Sequence, residues 1–437
     1  MIDRNNVADE DIRRVIEGFI EFMRQAIEKN KFEFEQLKKF MEPIFERTGY
    51  RLTQGGGNEN GNILILHEGA VGDFIAMSAA IREIRRIYPA AHITLVVEKN
   101  AGNLAEFCPH IDELHVESFR INDRLLMGLP VHEHLMEMYS MHLKIAQNLL
   151  TRRYDLAFAA NYGVNSTMPL LSYMSGARER ISHLVGSKVF IDLLTEIVSQ
   201  EDYGTHAADK TLSYIEHLLR LPIANRELEA WVDETDLEFA QSILPGDKKI
   251  YAIGLGGHRP RKHYPPKFYA EFMNILMKRD DALKFVILGG STEKASAALL
   301  MEDVDGSRVV DLTGKTTFRQ TTAMLDRCLI YIGNDTGTMH LAAATGTPVL
   351  NPNCFSLDLD KPYNVLKRWY PYEVPSVIIC PSHALPECRP NPSFFGCCAE
   401  EPHCIKQITP KNLFDAFKLL QRQIRDGARQ PLIVGSK

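Results

Sequence analysis

The sequence has little of what marks a membrane-spanning or secreted protein. Near the start of the chain the apolar residues are interrupted by charges such as Asp9 and Arg13, so no continuous hydrophobic signal segment is formed there. A long stretch without a charge, 336–357, is broken by two glycines and two prolines, and we predict that it is buried protein rather than a membrane span. We therefore expect a cytosolic chain.

The composition also lacks an excess of basic residues and of cysteine. Lys and Arg number 50 against 56 Asp and Glu, a net charge of −6, which excludes an overall basic field for nucleic acid. Eight cysteines in 437 residues are too few for a disulfide scaffold. With 45% hydrophobic and 24% charged residues, the chain is typical of globular proteins and long enough for two or three domains.

The first 60 residues are set apart from the rest by their pattern. Residues 9–47 carry apolar side chains at helical spacing, which predicts a helical hairpin. A membrane-surface or oligomerisation element and an amphipathic cap on the next domain both fit this pattern. The polar, glycine-rich segment 54–61 is typical of a flexible linker. We assign 1–60 to a helical extension and linker.

From residue 61 onward, apolar runs of strand length alternate with helical patterns, in two series separated by a charged, weakly patterned segment at 224–247. We interpret that segment as an interdomain linker. Alternation of this kind predicts an α/β fold with two Rossmann-like parallel-sheet domains in tandem, at 61–235 and 236–437. Ligands of such sheets bind at the carboxyl ends of the strands, so we expect a substrate in a cleft between the domains.

Two turns at predicted strand ends carry candidate site residues. In the first, Gly69 and Gly72 allow a tight turn and Asp73 stands at a helix start, although the pattern is not the GxGxxG dinucleotide fingerprint. Asp73 faces a ligand or simply caps the helix.

The second turn, 333–344, follows an apolar strand and opens a helix of small residues. The amides at Thr336, Gly337 and Thr338 are predicted to bind phosphate. Asp335 would accept from sugar hydroxyls or cap the helix, and His340 would reach the same ligand or be structural.

A locally basic loop lies between the two turns in sequence. It contains Arg259, Arg261, Lys262 and Lys267 and would give a positive site for a diphosphate, although a solvated loop is the alternative. Another strand–glycine–helix unit follows, and it would bring Glu293 to the ribose of a nucleoside.

The motifs together resemble one known family. Gly72-Asp73, the run 262–271, the glycines at 289–290, the run 312–315 and above all 333–348 look like the ADP-heptose:lipopolysaccharide heptosyltransferases, glycosyltransferase family 9. The resemblance covers about residues 61–425. It implies a GT-B fold, with the acceptor on the N-terminal domain, the ADP-sugar on the C-terminal domain, and inverting transfer without a cofactor or catalytic metal.

The resemblance also implies roles for single residues. Asp73 would be the general base. Lys262 and the amides at 336–338 would stabilise the charge on the leaving diphosphate, while Asp335 and His340 hold the donor and Glu293 its nucleoside. The N-terminal extension and the Asn-Pro-Asn-Cys run at 351–354 depart from the family pattern, which puts the donor and the acceptor in question.

A cluster of cysteines is a further departure. It comprises Cys380, Cys388, Cys397, Cys398 and Cys404, with His383 and His403 nearby. Four thiolates in a Pro-rich loop would bind a structural zinc or iron, and free thiols and disulfides are the alternatives. The related autotransporter heptosyltransferases carry a cysteine-bound iron in this region and modify protein hydroxyls.

We therefore expect an inverting glycosyltransferase that moves a heptose or related sugar to lipopolysaccharide core or a surface glycan. A protein O-heptosyltransferase acting on Ser or Thr and a non-catalytic sugar-nucleotide scaffold are the alternatives. The expected partners are an ADP-sugar and a lipopolysaccharide, glycan or protein acceptor, and no nucleic acid. Peripheral contact with the inner membrane and homo-oligomerisation stay open.

Overall fold

The computed structural model describes residues 61–119, 141–142, 144–146, 148–149, 152–160, 168–182, 193–197, 205–219, 221–246, 249–257, 260–357, 365–386, 388 and 401–436. The predicted extension at 1–60 lies outside these residues. Packing divides the chain into two units. The second unit comprises Ala70–Glu83, Asn103–Cys108 and Asp202–Lys437, and the first comprises the rest.

The first sheet has six parallel strands in the order β3-β2-β1-β4-β5-β6. This is the doubly wound order, in which the strand sequence reverses between β1 and β4. The strands are β1 (Asn62–His67), β2 (His92–Glu98), β3 (Glu113–Glu117), β4 (Leu156–Ala160), β5 (Glu179–Ser182) and β6 (Glu196–Ile197).

The helices that accompany these strands are α1 (Val71–Ile87), α2 (Lys99–Ala105) and α3 (Met168–Met174). In β1, Ile63, Leu64, Ile65 and Leu66 are all nearly inaccessible to solvent. A near-continuous apolar run is expected of a parallel strand with both faces covered, so β1 fits the predicted alternation of apolar strands and helices from residue 61 onward.

The second sheet has seven parallel strands in the order β13-β12-β11-β10-β7-β8-β9. Its order reverses between β7 and β10. The strands are β7 (Ile250–Gly254), β8 (Lys284–Leu288), β9 (Val309–Asp311), β10 (Ile330–Gly333), β11 (Val349–Pro352), β12 (Ser376–Cys380) and β13 (Leu432–Gly435).

Further helices lie in the second unit, and those after β7 connect its strands. They are α4 (Ala207–Leu219), α5 (Glu234–Ile243), α6 (Pro266–Met277), α7 (Lys294–Met301), α8 (Phe318–Asp326), α9 (Gly337–Ala344), α10 (Val365–Arg368) and α11 (Pro410–Arg425), with 3₁₀ turns at Pro260–Lys262, Ser291–Glu293, Gly306–Arg308 and Cys404–Gln407. The charge-free stretch from Thr336 therefore forms α9 and β11, which confirms that it is buried protein.

The core of the second unit is built from aromatic contacts between sheet and helices. Phe272 of α6 and Phe417 of α11 lie with ring centroids 6.0 Å apart, and Tyr251 of β7 meets Phe417 at 5.8 Å. Phe272 and Phe285 are fully buried. Burying each such side chain contributes about 1.5–3 kcal/mol, so these rings anchor both helices to the sheet that carries the site.

The segment predicted as an interdomain linker contains helix α5. Its start has a reciprocal capping box, in which Asp233 accepts from the amide of Asp236 at 2.9 Å and Asp236 accepts from the amide of Asp233 at 3.2 Å. Arg319 of α8 then pairs with Asp236 at 2.9 Å. The charges of this segment are used for capping and for docking a helix, so Glu234–Ile243 is regular secondary structure, and the role of 224–247 as an interdomain linker stays a prediction.

Candidate functional site

The candidate site lies at the carboxyl ends of β7 and β10, where the strand order of the second sheet reverses. These strands are adjacent and in register, with Gly254 opposite Gly333. Side chains and amides that follow both strands therefore converge at one edge. In open α/β sheets this crevice is the usual ligand site.

Lys262 and Asp335 form an ion pair at this edge. The Lys262 Nζ donates to Asp335 Oδ2 at 2.7 Å and approaches the Asp335 carbonyl at 3.4 Å. Their side chains are 23% and 10% exposed, so the pair is largely shielded and still reachable by a ligand. The sequence assigned both residues to the donor site, but it did not show that one neutralises the other.

Helix α9 begins beside this ion pair. Thr336 is its N-cap residue, with extended backbone, and its side chain makes no capping bond. The first amides of a helix have no partner within the helix, and the helix dipole favours an anion there. Gly337 and Thr338 form that first turn and are half-buried. This arrangement fits the predicted phosphate site.

His340, one turn into α9, is buried and electrically neutral at neutral pH. Burial lowers the pKa of His340 to about 4, with Lys262 acting in the same direction and Asp335 opposing both. Its Nδ1 has no hydrogen-bond partner among the described residues, and its ring lies edge-on to Trp369 at 6.0 Å. The neutral ring is a packing element beside the ion pair, and its predicted contact with the donor stays a prediction.

The turn before α1 packs against α9. A Cβ at Gly72 would lie 2.7 Å from the Cδ2 atom of His340, and one at Gly337 would lie 3.2 Å from the Cβ of Val71. Both contacts fall within the second unit, which includes Ala70–Glu83. Glycine is required at position 72 because any side chain would displace the His340 ring.

Asp73 follows Gly72 and occupies the first turn of α1. Its Oδ2 accepts the backbone N–H of Ala70 at 2.7 Å, so the carboxylate helps to cap the helix and is held in one orientation. Gly69 precedes Ala70 in the same connection between β1 and α1. The capping role is therefore present, and Asp73 is half-buried directly after Gly72, the residue that packs on His340 of α9.

Glu293 stands at the carboxyl end of β8. Its carboxylate accepts the amide of Gly290 and the hydroxyl of Thr292, each at 2.7 Å, and it is 7% exposed. A Cβ at Gly256 would lie 3.7 Å from its Oε2, so Glu293 borders the turn that follows β7. Its role toward a ribose stays a prediction.

The basic loop is described only in part, because Arg259 lies outside the described residues. Arg261 is buried, whereas Lys267 in α6 is exposed. Within the described part of this loop, Lys262 is the residue that pairs with Asp335, and this pair places its ammonium at the start of α9. Lys262 is therefore the strongest candidate for contact with a diphosphate.

Sequence analysis did not single out two buried asparagines behind the site. Asn334 and Asn351 are 0% and 1% exposed, and Asn351 donates to the carbonyl of Gly333 at 2.8 Å. An asparagine directly after a predicted buried strand is the available signal, since a buried amide must find partners in neighbouring turns.

The cysteine cluster is divided in the structure. Ligand atoms of Cys388, His403 and Cys404 lie within 4.8 Å of one another. The Cys404 Sγ accepts the amide of Leu385 at 3.3 Å. Two thiols and an imidazole at this separation suit a tetrahedral zinc or iron site.

The remaining cysteines contribute differently. Cys380 is the last residue of β12 and packs with Leu366 and Ile378, and it is not one of the three grouped residues. Cys397 and Cys398 lie outside the described residues. His383 is exposed. Membership of these cysteines in a metal site stays a prediction.

Comparison of the sequence with known proteins points to one family. The model of glycosyltransferase family 9 (heptosyltransferase) matches residues 142–351. The lipopolysaccharide core heptosyltransferase OpsX of Haemophilus influenzae is 21% identical over 313 residues, which cover 70% of this chain and 82% of that protein. Lipopolysaccharide heptosyltransferase 2 of Escherichia coli is 23% identical over 305 residues, 66% of this chain and 81% of that protein.

Solved structures share the fold. A glycosyl transferase family 9 protein from Veillonella parvula superposes with a TM-score of 0.65 at 19% identity, covering 85% of this chain and 100% of that one. The ADP-heptose heptosyltransferase II of Escherichia coli gives 0.60 at 17% identity, covering 84% and 100%. The predicted GT-B class is confirmed, and so is the resemblance to the heptosyltransferases of glycosyltransferase family 9. Among the described residues, no helix is both long and apolar enough to cross a bilayer.

Proposed function

We propose that this heptosyltransferase-like glycosyltransferase moves a heptose or a related sugar from an ADP-sugar to an acceptor hydroxyl in lipopolysaccharide core or a surface glycan, with inversion at the anomeric carbon. The observation that carries the proposal is the packing of Gly72 on His340, with a hypothetical Cβ only 2.7 Å from the ring. Asp73 directly follows Gly72, and this packing supports a site in which the Asp73 carboxylate lies near the start of α9, where the donor diphosphate would bind.

The donor diphosphate would bind at the start of α9. The amides of Gly337 and Thr338 and the dipole of the helix attract anions, and Lys262, although paired with Asp335, supplies an ammonium group at the same edge. Asp335 holds the ammonium of Lys262 at 2.7 Å before the donor arrives. A donor would then meet a cation that is already oriented, which is the condition for electrostatic stabilisation of a leaving group.

Asp73 would act as the general base. The acceptor oxygen forms a bond to the anomeric carbon and gives its proton to the Asp73 carboxylate, while the bond from that carbon to the diphosphate breaks and its electron pair leaves with ADP. The Ala70 amide binds Asp73 Oδ2 at 2.7 Å and fixes the direction of the carboxylate. Displacement from the opposite face inverts the anomeric configuration, and the reaction balances without a cofactor or a catalytic metal.

A structural metal would be held by Cys388, His403 and Cys404. These three residues supply three ligands, and a fourth would come from Cys397 or Cys398 in the predicted cluster. A metal would stabilise this part of the chain by joining Cys388 to His403 and Cys404, which are distant from it in sequence. The metal would have no part in the transfer step.

The same cysteine group favours a second candidate, transfer to Ser or Thr of a protein. The autotransporter heptosyltransferases, which the cysteine cluster resembles, modify protein hydroxyls. Both candidates use the same donor site and the same base, so they differ only in the acceptor. For either acceptor we propose that the chain works in the cytosol, at the inner face of the membrane when the acceptor is a lipid.

Two experiments test the proposal. Thermal unfolding with ADP, UDP, GDP and CMP at equal concentration identifies the nucleotide, since a ligand at one hundred times its dissociation constant adds about 2.7 kcal/mol of stability. We expect selective stabilisation by ADP. Transfer of heptose to truncated lipopolysaccharide core and to a Ser/Thr-rich acceptor protein, followed by mass spectrometry, then separates the two acceptors. Stabilisation by none of the four nucleotides would favour a scaffold instead.

A further inference from the structure

Asn334 uses the whole hydrogen-bonding capacity of its side chain although it is completely buried. Its Oδ1 accepts the amide of Tyr264 and the hydroxyl of Tyr269, each at 3.1 Å. Its Nδ2 donates to the carbonyls of Leu255 and Gly256 at 2.9 and 3.1 Å. Two donors on one side and two acceptors on the other fix the orientation of the amide, and only an asparagine supplies both at this length.

These four bonds close the loop that carries Lys262. Leu255 and Gly256 are the first residues after β7, whereas Tyr264 directly precedes the turn into α6. Asn334 therefore joins the beginning of the loop to its end through hydrogen bonds. A second tie spans the loop, where the His263 ring nitrogen lies 2.7 Å from the carbonyl of Gly257.

The residue after Asn334 is Asp335, the partner of Lys262. One dipeptide thus holds the loop twice, through a buried amide and through a carboxylate at the site. If the buried bonds are lost, the loop regains conformational freedom, and the ammonium of Lys262 no longer has a fixed position relative to the start of α9. Asn334 has 0% exposure, so it acts on a ligand only through these neighbours.

We propose that Asn334 is a positioning residue that sets Lys262, and with it the affinity for the donor diphosphate, through the loop 255–264. This inference rests on the proposed function, because it takes a nucleoside diphosphate as the ligand of Lys262. It adds a residue that does not touch the donor, and it predicts that the effect of Asn334 on donor affinity depends on Lys262.

The substitutions are chosen to distinguish an effect on the position of Lys262 from an effect on the stability of the fold. Asn334→Ala leaves the carbonyls of Leu255 and Gly256 and the amide of Tyr264 without their partner, and Asn334→Asp keeps the shape but turns a carboxylate toward two carbonyls. Tyr269→Phe removes a single bond to Oδ1 and is the variant to use if the others do not fold. Asn351→Ala is the matched control, since that asparagine is equally buried but bonds to Gly333 rather than to the loop.

The test is a double-mutant cycle with Lys262→Met, in which calorimetry measures the dissociation constant of ADP and thermal unfolding measures stability. We expect Asn334→Ala to raise the dissociation constant of ADP between about tenfold and 100-fold when Lys262 is present. When Lys262 is already replaced by methionine, the same substitution should raise it less than about threefold. Tyr269→Phe should give a smaller loss with the same dependence on Lys262. Asn351→Ala should lower the melting temperature comparably, and any loss of ADP affinity should be independent of Lys262.

The outcomes separate the inference from the function on which it rests. If the fold-losses of ADP affinity caused by Asn334→Ala and by Lys262→Met multiply in the double variant, the two residues act independently. That result would overturn the inference, because Asn334→Ala would then act through a general loss of structure. An unaltered chain that binds no ADP would overturn the proposed function together with the inference. If ADP binds and Lys262→Met has no effect on it, the role of Lys262 fails and the inference fails with it.

Discussion

The Nζ atom of Lys262 lies 2.7 Å from Oδ2 of Asp335, across 73 residues of sequence. The carboxylate therefore holds the ammonium in place and at the same time offsets its charge. A donor diphosphate would bring more negative charge to this point than Asp335 does. The pair would then act as a preorganised cation site, in which the ammonium stays bonded to Asp335 and offers its remaining N–H groups to the ligand.

Removing the positive charge of Lys262 should weaken binding of the donor. Lys262→Met is expected to raise the dissociation constant of ADP about tenfold to 100-fold, since hydrogen bonds to charged groups contribute about 1.5–3 kcal/mol. Calorimetric titration with ADP measures the change. Lys278→Met is the matched control, because Lys278 is an exposed lysine at the far end of α6 and should leave the affinity as it is. Equal affinities for the unaltered chain and Lys262→Met would contradict the assignment.

Gly72 should not tolerate a side chain. Gly72→Ala would bring a Cβ to 2.7 Å from the His340 ring, so we expect both the melting temperature and the turnover to fall. In a His340→Ala background the same substitution should cost little, since the ring is gone. Gly306→Ala is the control, because its nearest neighbour would be a methionine methyl at 3.7 Å. A Gly72→Ala loss that is unchanged without the ring would refute the steric explanation.

Two neutral histidines should make the fold sensitive to acid. Burial lowers the pKa of His340 to about 4 and that of His206 to about 3, the latter with help from His340 and Arg368 and against the Tyr370 carbonyl. In the unfolded chain both titrate near 6.5. Stability is thus fully present above about pH 6.5 and is lost as the pH falls toward 4, because only the unfolded chain takes up these protons.

Urea unfolding at about pH 7 and about pH 5 measures this loss. Each histidine contributes at most about 1.4 kcal/mol per pH unit inside the window. Carboxylates also titrate at the lower end, so the comparison is with His340→Gln, which should lose less stability on acidification than the unaltered chain. An identical loss in both would show that His340 is protonated without penalty.

The Cys388–His403–Cys404 group makes a prediction about metal content. Metal analysis of the purified chain should find close to one zinc or iron per chain, and Cys404→Ser should remove most of it and lower the melting temperature. Cys328→Ser is the control, because that thiol is buried just after the end of α8 and donates to the Met324 carbonyl at 3.1 Å. An equal metal content in Cys404→Ser and Cys328→Ser would show that Cys404 does not hold the ion.

Much of the second unit could be predicted from the sequence because its strands are short apolar runs between glycine turns. In β8, for example, Phe285 to Leu288 are four consecutive apolar residues, all buried, and a glycine follows them. Helix α5 was missed, since its cap uses two aspartates, Asp233 and Asp236, and its exposed Leu237 breaks the amphipathic pattern. Local periodicity does not contain the contact that stabilises this helix, the pair with Arg319.

The candidate site was predicted as a list of residues, and its connections were not. Glycines and polar residues after strand ends identified Asp73, Lys262 and Asp335. The ion pair of Lys262 and the buried bonds of Asn334 join segments more than 60 residues apart, and only the register of β7 with β10 brings them together. Such long-range pairings require the fold.

The most direct test of the account is the turnover of Asp73→Asn with an ADP-heptose donor, measured beside its affinity for ADP. Asparagine keeps an oxygen that can accept the Ala70 amide, so α1 should remain capped and the melting temperature nearly unchanged. The account predicts that turnover falls on the order of 10²-fold or more while ADP binds as before, because only the proton acceptor is lost. Unchanged turnover would contradict the assignment of Asp73 as the base.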